Sequence, residues 1–347
     1  MKIFCMDVHI SVIEDFKTIV PPWVEVTDWC MSGHHWVLRK PKANPKHINA
    51  DTWKELTPEM IAAFQDEYDT FLRSFDGFVV GYASCFAMVY EKYNKPIIML
   101  NAVRYDVPFC WSKDYAMLKS YKDCLYRLQQ SGLLHMVSNN KGDQLYLEKA
   151  TGLRADYIPA LCLYTGIRYA PTKSTFLCYH AHPDPHPLIV PTIPTGSFLW
   201  SDLSAYRGII HFPYEMSTMS MFEHFAGGLP LFFPSKSFWK ANSGSLTSNV
   251  CYWGEDLPEE LQDFRTHDAW IDLADPYLAF QSPNTYYYDS WQHLHTLLET
   301  FKYVDDRAFR QAYIASARSK WDALLRPLRS GMTMPSKFWL RRGTPRV

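Results

Sequence analysis

One stretch of this sequence gathers residues able to hold an anion beside a diol. Between Arg207 and Ser235 an apolar run, Gly208 to Phe212, leads into the turn Pro213-Tyr214-Glu215. Ser217, Thr218 and Ser220 follow, then Glu223, then Gly227-Gly228 and a second apolar run from Pro230. The spacing predicts a strand, a polar turn, a helix opening at about Ser217, and another strand. A helix start presents N–H groups without intrahelical partners and the positive end of the dipole, so the three hydroxyl residues mark a candidate phosphate site. Glu223 lies one to two turns further on, where a carboxylate can accept two hydrogen bonds from a ribose diol. Arg207 and Lys236 flank the segment as basic candidates. Arg104, just past the apolar run Ile97–Leu100, is a third, placed to reach the same ligand from the first half of the chain.

Two other loops carry titratable residues. Asp28-Trp29-Cys30-Met31-Ser32-Gly33-His34-His35-Trp36 reads as a loop after an early strand. A histidine titrates near neutral pH and can take a hydroxyl proton, so His34 is the first candidate base and Asp28 the second. His180, His182, Asp184 and His186 form a cluster whose donor types suit zinc. It resembles the H-x-H-x-D-H motif of metallo-β-lactamase-type hydrolases, with Pro185 displacing the spacing by one. Its prolines predict an extended, exposed loop. A metal-dependent hydrolase using this loop is the alternative enzyme class. A glycoside hydrolase working through Glu215 and Glu223 is a further one, and a non-catalytic sugar- or nucleotide-binding protein is the non-enzyme reading.

Glu215 and Glu223 enclose seven residues, and Glu223 precedes a Gly-x-Pro turn and an apolar strand. This resembles the E-x7-E signature in the C-terminal domain of GT-B glycosyltransferases. The resemblance covers about 25 residues, and this chain has Glu215-Met216-Ser217-Thr218 where many members have Glu-Gly-Phe-Gly. It implies two Rossmann-like α/β domains facing a cleft, with the acceptor bound by the first and a nucleotide sugar, UDP- or GDP-linked, by the second. It implies that Glu223 holds the ribose, that Ser217, Thr218 and Ser220 lie near the diphosphate, and that Tyr214 lies beside the base or sugar. The implied reaction is hexosyl or pentosyl transfer to a hydroxyl acceptor such as a glycan. No Asp-x-Asp occurs in the chain. The expectation is therefore no metal cofactor, the leaving diphosphate being neutralised by helix dipoles and basic side chains.

The elements that must position these residues alternate along the chain. Lys2–His9, Val24–Val26, Phe78–Gly81, Ile97–Leu100 and Leu133–Ser138 read as strands. Helices are expected after Thr57-Pro58, over 83–93, over 113–131 and over 143–151 with Gly152 as stop. Short apolar runs between helices describe a mostly parallel sheet covered on both faces. The pattern loosens near 164–174, which divides the chain into domains 1–170 and 171–347. The final helices, containing Trp291 and Trp321, are expected to cross back onto the first domain. The 347 residues include 35 Lys+Arg and 36 Asp+Glu, a balance that argues against a broad grip on nucleic acid or an anionic membrane. No apolar run is long enough for a membrane span. The early charges at the N-terminus argue against a signal segment, and eight scattered cysteines without a CxxC pair suggest free thiols. The expected location is the cytoplasm.

Overall fold

The computed structural model describes residues 1–178, 185–191, 199–213, 215–243 and 259–329. Among these, six strands form one sheet: β1 (Lys2–Asp7), β2 (Glu25–Cys30), β3 (Gly77–Val80), β4 (Ile97–Asn101), β5 (Leu134–Ser138) and β6 (Asp156–Tyr157). Its order is β2-β1-β3-β4-β5-β6, parallel throughout. Five more strands form the second sheet: β7 (Phe176–Cys178), β8 (Ile189–Pro191), β9 (Ile209–Ile210), β10 (Leu231–Pro234) and β11 (Thr285–Tyr288). Its order is β11-β10-β9-β7-β8, again parallel. In each sheet the direction of winding reverses once, between β1 and β3 and between β7 and β9. The crevice beyond the carboxyl ends at such a point is where open α/β sheets hold ligands. Two Rossmann-like domains thus face one cleft, the GT-B arrangement that the resemblance implies.

Local signals account for most of the helices. The Thr57 hydroxyl accepts the Met60 N–H at 3.3 Å and Pro58 opens the helix Pro58–Arg73. Asp114 caps Tyr115–Gln130 through the Met117 N–H at 3.0 Å, and Asn140 caps Lys141–Thr151 through the Asp143 N–H at 2.8 Å. Gly152 closes the latter helix with φ +68°, the left-handed turn that glycine adopts without a Cβ penalty. The buried faces of β1 and β3 are apolar on both sides, as a covered parallel sheet requires.

Some elements depart from the expectations. Residues 83–93 form two 3₁₀ turns around a short helix, Ala87–Tyr90, instead of one helix. The first strand stops at Asp7, and helix Ile10–Ile19 begins almost at once. The second strand runs on to Cys30, so Asp28 is a strand residue and not part of a loop. Polar residues within β2 hid its length: Asp28 is neutralised by an ion pair with Lys17, and Trp29 stacks on Phe71 at 4.9 Å.

The two halves are joined by more than their connector. The Asp15 carboxylate accepts the backbone N–H of Leu161 at 3.0 Å and of Cys162 at 2.6 Å, pinning the segment that leaves the first sheet. The last described helix, Arg307–Arg329, returns to the first half. Its Ala317, Trp321, Leu324 and Leu325 pack with Ile3, Phe16 and Val137, and the Trp321 and Phe16 rings lie 5.6 Å apart. Trp291 packs instead on Phe212, Phe238 and Tyr288 of the second half. Seven of the cysteines are described, all as free thiols. Among the described residues no helix is long and apolar enough to cross a membrane.

Burial raises the Asp15 carboxyl to about 7, against the pull of the two N–H groups. An acid whose folded pKa is raised contributes stability at low pH that is lost as pH rises through that value. Asp15→Asn cannot titrate. Between pH 4 and pH 7 the unfolding free energy of the unmodified protein should therefore fall more steeply than that of the variant, by roughly 2–4 kcal/mol. Urea denaturation at several pH values checks this.

Candidate functional site

The carboxyl ends of β1, β3 and β4 and the turn after β9 enclose a cavity of about 620 Å³. From the first half it is lined by His9, His34, Trp53, Tyr82, Arg104 and Trp111, and from the second by Glu215, Ser217, Thr218 and Met219. The wall on the first side is set by Asp7, the last residue of β1. Its carboxylate is fully buried and accepts the N–H groups of Val8 at 2.6 Å, Tyr82 at 2.7 Å and Ala83 at 3.1 Å. Burial raises it to about 6, and those N–H groups oppose the rise. The bonds tie the end of β1 to the end of β3, which brings His9 and Tyr82 to the cavity with their rings stacked at 5.5 Å. Gly81 is required here because a Cβ would lie 2.0 Å from the Asp7 Oδ2 and 2.7 Å from the Val12 Cγ1.

His9 was not among the residues singled out from the sequence. Burial, with a smaller effect from His34, lowers it to about 4, so its imidazole is neutral at pH 7. Its Nδ1 is buried and without a hydrogen-bond partner. The signal that marks it is position: it sits two residues beyond a strand at the winding reversal, which is visible only once the strand order is known.

The cavity carries charge where the two halves meet. Arg104 is 3% exposed, and its fork faces Glu215, with Nη1–Oε1 at 3.4 Å and Nη2–Oε2 at 3.3 Å. Burial works against its charge, but the carboxylates of Glu215, Asp143 and Asp106 more than offset it. Burial raises Asp106 and Asp143 to about 6 each, and raises the wholly buried Asp275 well above its usual range. Ser217 is the neighbour that pulls Asp275 down. Thr218 caps the helix Met219–Ala226, accepting the Met221 N–H at 3.4 Å and pairing with the Ser220 hydroxyl at 2.9 Å.

The structure therefore brings His34, Arg104, Glu215, Ser217 and Thr218 to one cavity. Ser220 stands one step behind Thr218, off the lining. Glu223 is placed differently from the ribose-binding role that the resemblance implies. Its Oε1 accepts the hydroxyls of Ser11, at 3.1 Å, and Tyr164, and its Oε2 accepts the Trp200 indole N–H at 3.2 Å. These donors come from three distant segments, and a diol would have to displace them. Arg207 lies at the opposite, amino end of β9. Its guanidinium bonds the Phe301 carbonyl at 3.2 Å and stacks over the Phe176 and Phe301 rings, so it cannot reach the cavity. Lys236 is turned toward the Asp272 carbonyl, at 3.2 Å, and the Tyr277 ring. Asp28 is held by Lys17 away from the cavity lining.

Tyr214, His180, His182 and Asp184 lie outside the described residues. His186 stacks on His295 at 4.3 Å, with its Nε2 3.3 Å from Glu299. Among the described residues no group of three or more His, Cys, Asp or Glu is placed to hold a metal.

No protein-family model and no curated protein sequence matches the chain. Several solved structures are similar in backbone. The glycotransferase of kitacinnamycin is 11% identical, with a TM-score of 0.42 over 96% of this chain and 99% of that one. The glycosyltransferase SnogD from Streptomyces nogalater is 11% identical, with a TM-score of 0.37 over 93% and 95%. The S. aureus MnaA–UDP co-structure is 11% identical, with a TM-score of 0.42 over 80% and 92%.

Two outcomes follow from the packing. Gly81→Ala should lower the unfolding free energy by about 1–3 kcal/mol, because the new methyl overlaps Asp7 and Val12. Glu223→Ala should cost roughly 2–4 kcal/mol by stranding three donors at a buried site, whereas Glu223→Gln, which keeps an acceptor oxygen, should cost less. Chemical denaturation measures both.

Proposed function

We propose that this protein is a glycosyltransferase that takes a sugar from a nucleotide-sugar donor and passes it to a hydroxyl acceptor bound against the first domain. The observation that carries the reading is the cavity's polarity. A neutral histidine and a buried guanidinium stand on the first domain's side of the cavity, and a hydroxyl-bearing helix start stands on the second's. In the step this suggests, the His9 imidazole takes the acceptor hydroxyl's proton as that oxygen bonds the anomeric carbon, while the bond from that carbon to the diphosphate oxygen breaks. The leaving diphosphate gathers negative charge beside Arg104, Ser217 and the N–H groups at the start of the helix Met219–Ala226. Trp53, Tyr82 and Trp111 supply ring faces and edges of the kind on which sugars pack. With His9 as base, direct displacement inverts the anomeric configuration. His34, exposed at the cavity's edge, is then a contact to the acceptor and not the proton acceptor. Metal is not required in this reading, because the Arg104 guanidinium and the helix-start N–H groups face the diphosphate.

A thermal-shift panel of UDP-, GDP- and CMP-sugars identifies the donor, since a ligand that binds only the native state raises the melting temperature. With that donor, His9→Ala should lower kcat by ~10²–10⁴ and leave donor affinity nearly unchanged, because His9 is not among the groups that face the diphosphate. His34→Ala should have a smaller effect, and turnover should persist in EDTA. Full turnover in a folded His9→Ala variant, or loss of turnover on chelation with recovery on adding manganese, overturns the assignment.

A further inference from the structure

We propose that Glu215 is an internal stand-in for the ligand: its carboxylate fills an anion site built by Arg104 and the Met216 N–H, and an incoming diphosphate displaces it. This rests on the donor reading above and concerns how the same cavity is gated.

The site is built around the carboxylate. Both guanidinium Nη atoms meet its two oxygens, and Oε1 also accepts the Met216 N–H at 3.1 Å. The fork is aimed, because the guanidinium lies over the Trp270 ring at 5.5 Å and its side chain is 4% exposed. The match is nevertheless loose. Tight bidentate pairs close to about 2.7–2.9 Å, whereas these contacts are 3.3 and 3.4 Å. The two partners also differ in freedom. Arg104 is fixed in the wall of the first domain, while Glu215 stands in the turn after β9 with its side chain 17% exposed at the cavity.

Departure of Glu215 does not strand a bare cation. Asp143 and Asp106 both act on Arg104, so its charge stays compensated. A phosphate offers the same pair of oxygens to the fork and carries more charge than a carboxylate. Ser217 and Thr218, two and three residues beyond Glu215, line the same cavity and are placed to meet the remaining oxygens. The pair spans 111 residues and joins the two domains. Exchange therefore replaces a bridge made by the protein with one made through the ligand.

The proposal predicts a gain of binding from loss of an acid in the site. Glu215→Gln keeps an amide oxygen for the Met216 N–H and removes the competing charge. By isothermal titration calorimetry, this variant should bind inorganic pyrophosphate about tenfold more tightly than the unmodified protein. Arg104→Lys, which keeps the charge and loses the fork, should bind at least tenfold more weakly. Melting curves for each variant establish that it is folded. If the unmodified protein binds a nucleotide sugar, and folded Glu215→Gln binds that sugar and pyrophosphate no more tightly, the stand-in role is overturned and the donor reading survives. If neither protein binds pyrophosphate or any nucleotide sugar of the panel, both fall.

Discussion

The Asp7 carboxylate holds together the part of the molecule where the first sheet changes its direction of winding. Strands at such a point diverge beyond their carboxyl ends, and here three backbone N–H groups from the segments that follow β1 and β3 converge on one side chain instead. Withdrawing a carboxylate from water is expensive, and the N–H bonds offset the cost only in part, as the raised pKa of about 6 records. What the arrangement secures is position. His9 and Tyr82 hang from the two tied segments, and the absence of a side chain at Gly81 is what lets the segments meet.

The second domain is registered against this wall by polar contacts that differ in strength. Asp15 holds the connector through backbone N–H groups, and Glu223 collects donors from the first helix, the connector and the segment at Trp200. Both carboxylates are buried and well supplied. The Arg104–Glu215 pair is longer, and both of its residues line the cavity. The firm contacts thus sit around the connector, and the loose one faces the ligand space.

How much of this was legible in the sequence depended on how local each signal was. Helix caps at Thr57, Asp114 and Asn140 act over three residues, so those helices stand close to where composition and periodicity put them. The hydroxyl-rich start at Ser217–Ser220 was also readable, although Thr218 moves the first helical residue to Met219. Glu223 was misleading because its surroundings are not local. Ser11, Tyr164 and Trp200 are far apart in the chain, and nothing in the spacing of the two glutamates shows that three donors will converge on one of them. Asp28 misled for a related reason. A charged residue inside a short run reads as a loop, whereas Lys17 from the adjacent helix lets it sit in a strand. His9 needed the strand order itself, which no single-sequence pattern contains.

The return of helix Arg307–Arg329 to the first domain has a consequence for how the chain is made. Domains generally fold as units, N-terminal first, while the ribosome is still extending the chain. Here Ile3 and Phe16 emerge long before the face that covers them, Ala317, Trp321, Leu324 and Leu325. During synthesis the first sheet must wait with one apolar flank open to solvent until almost the whole second domain has followed. A chain interrupted before residue 317 leaves that flank uncovered even when both sheets are complete.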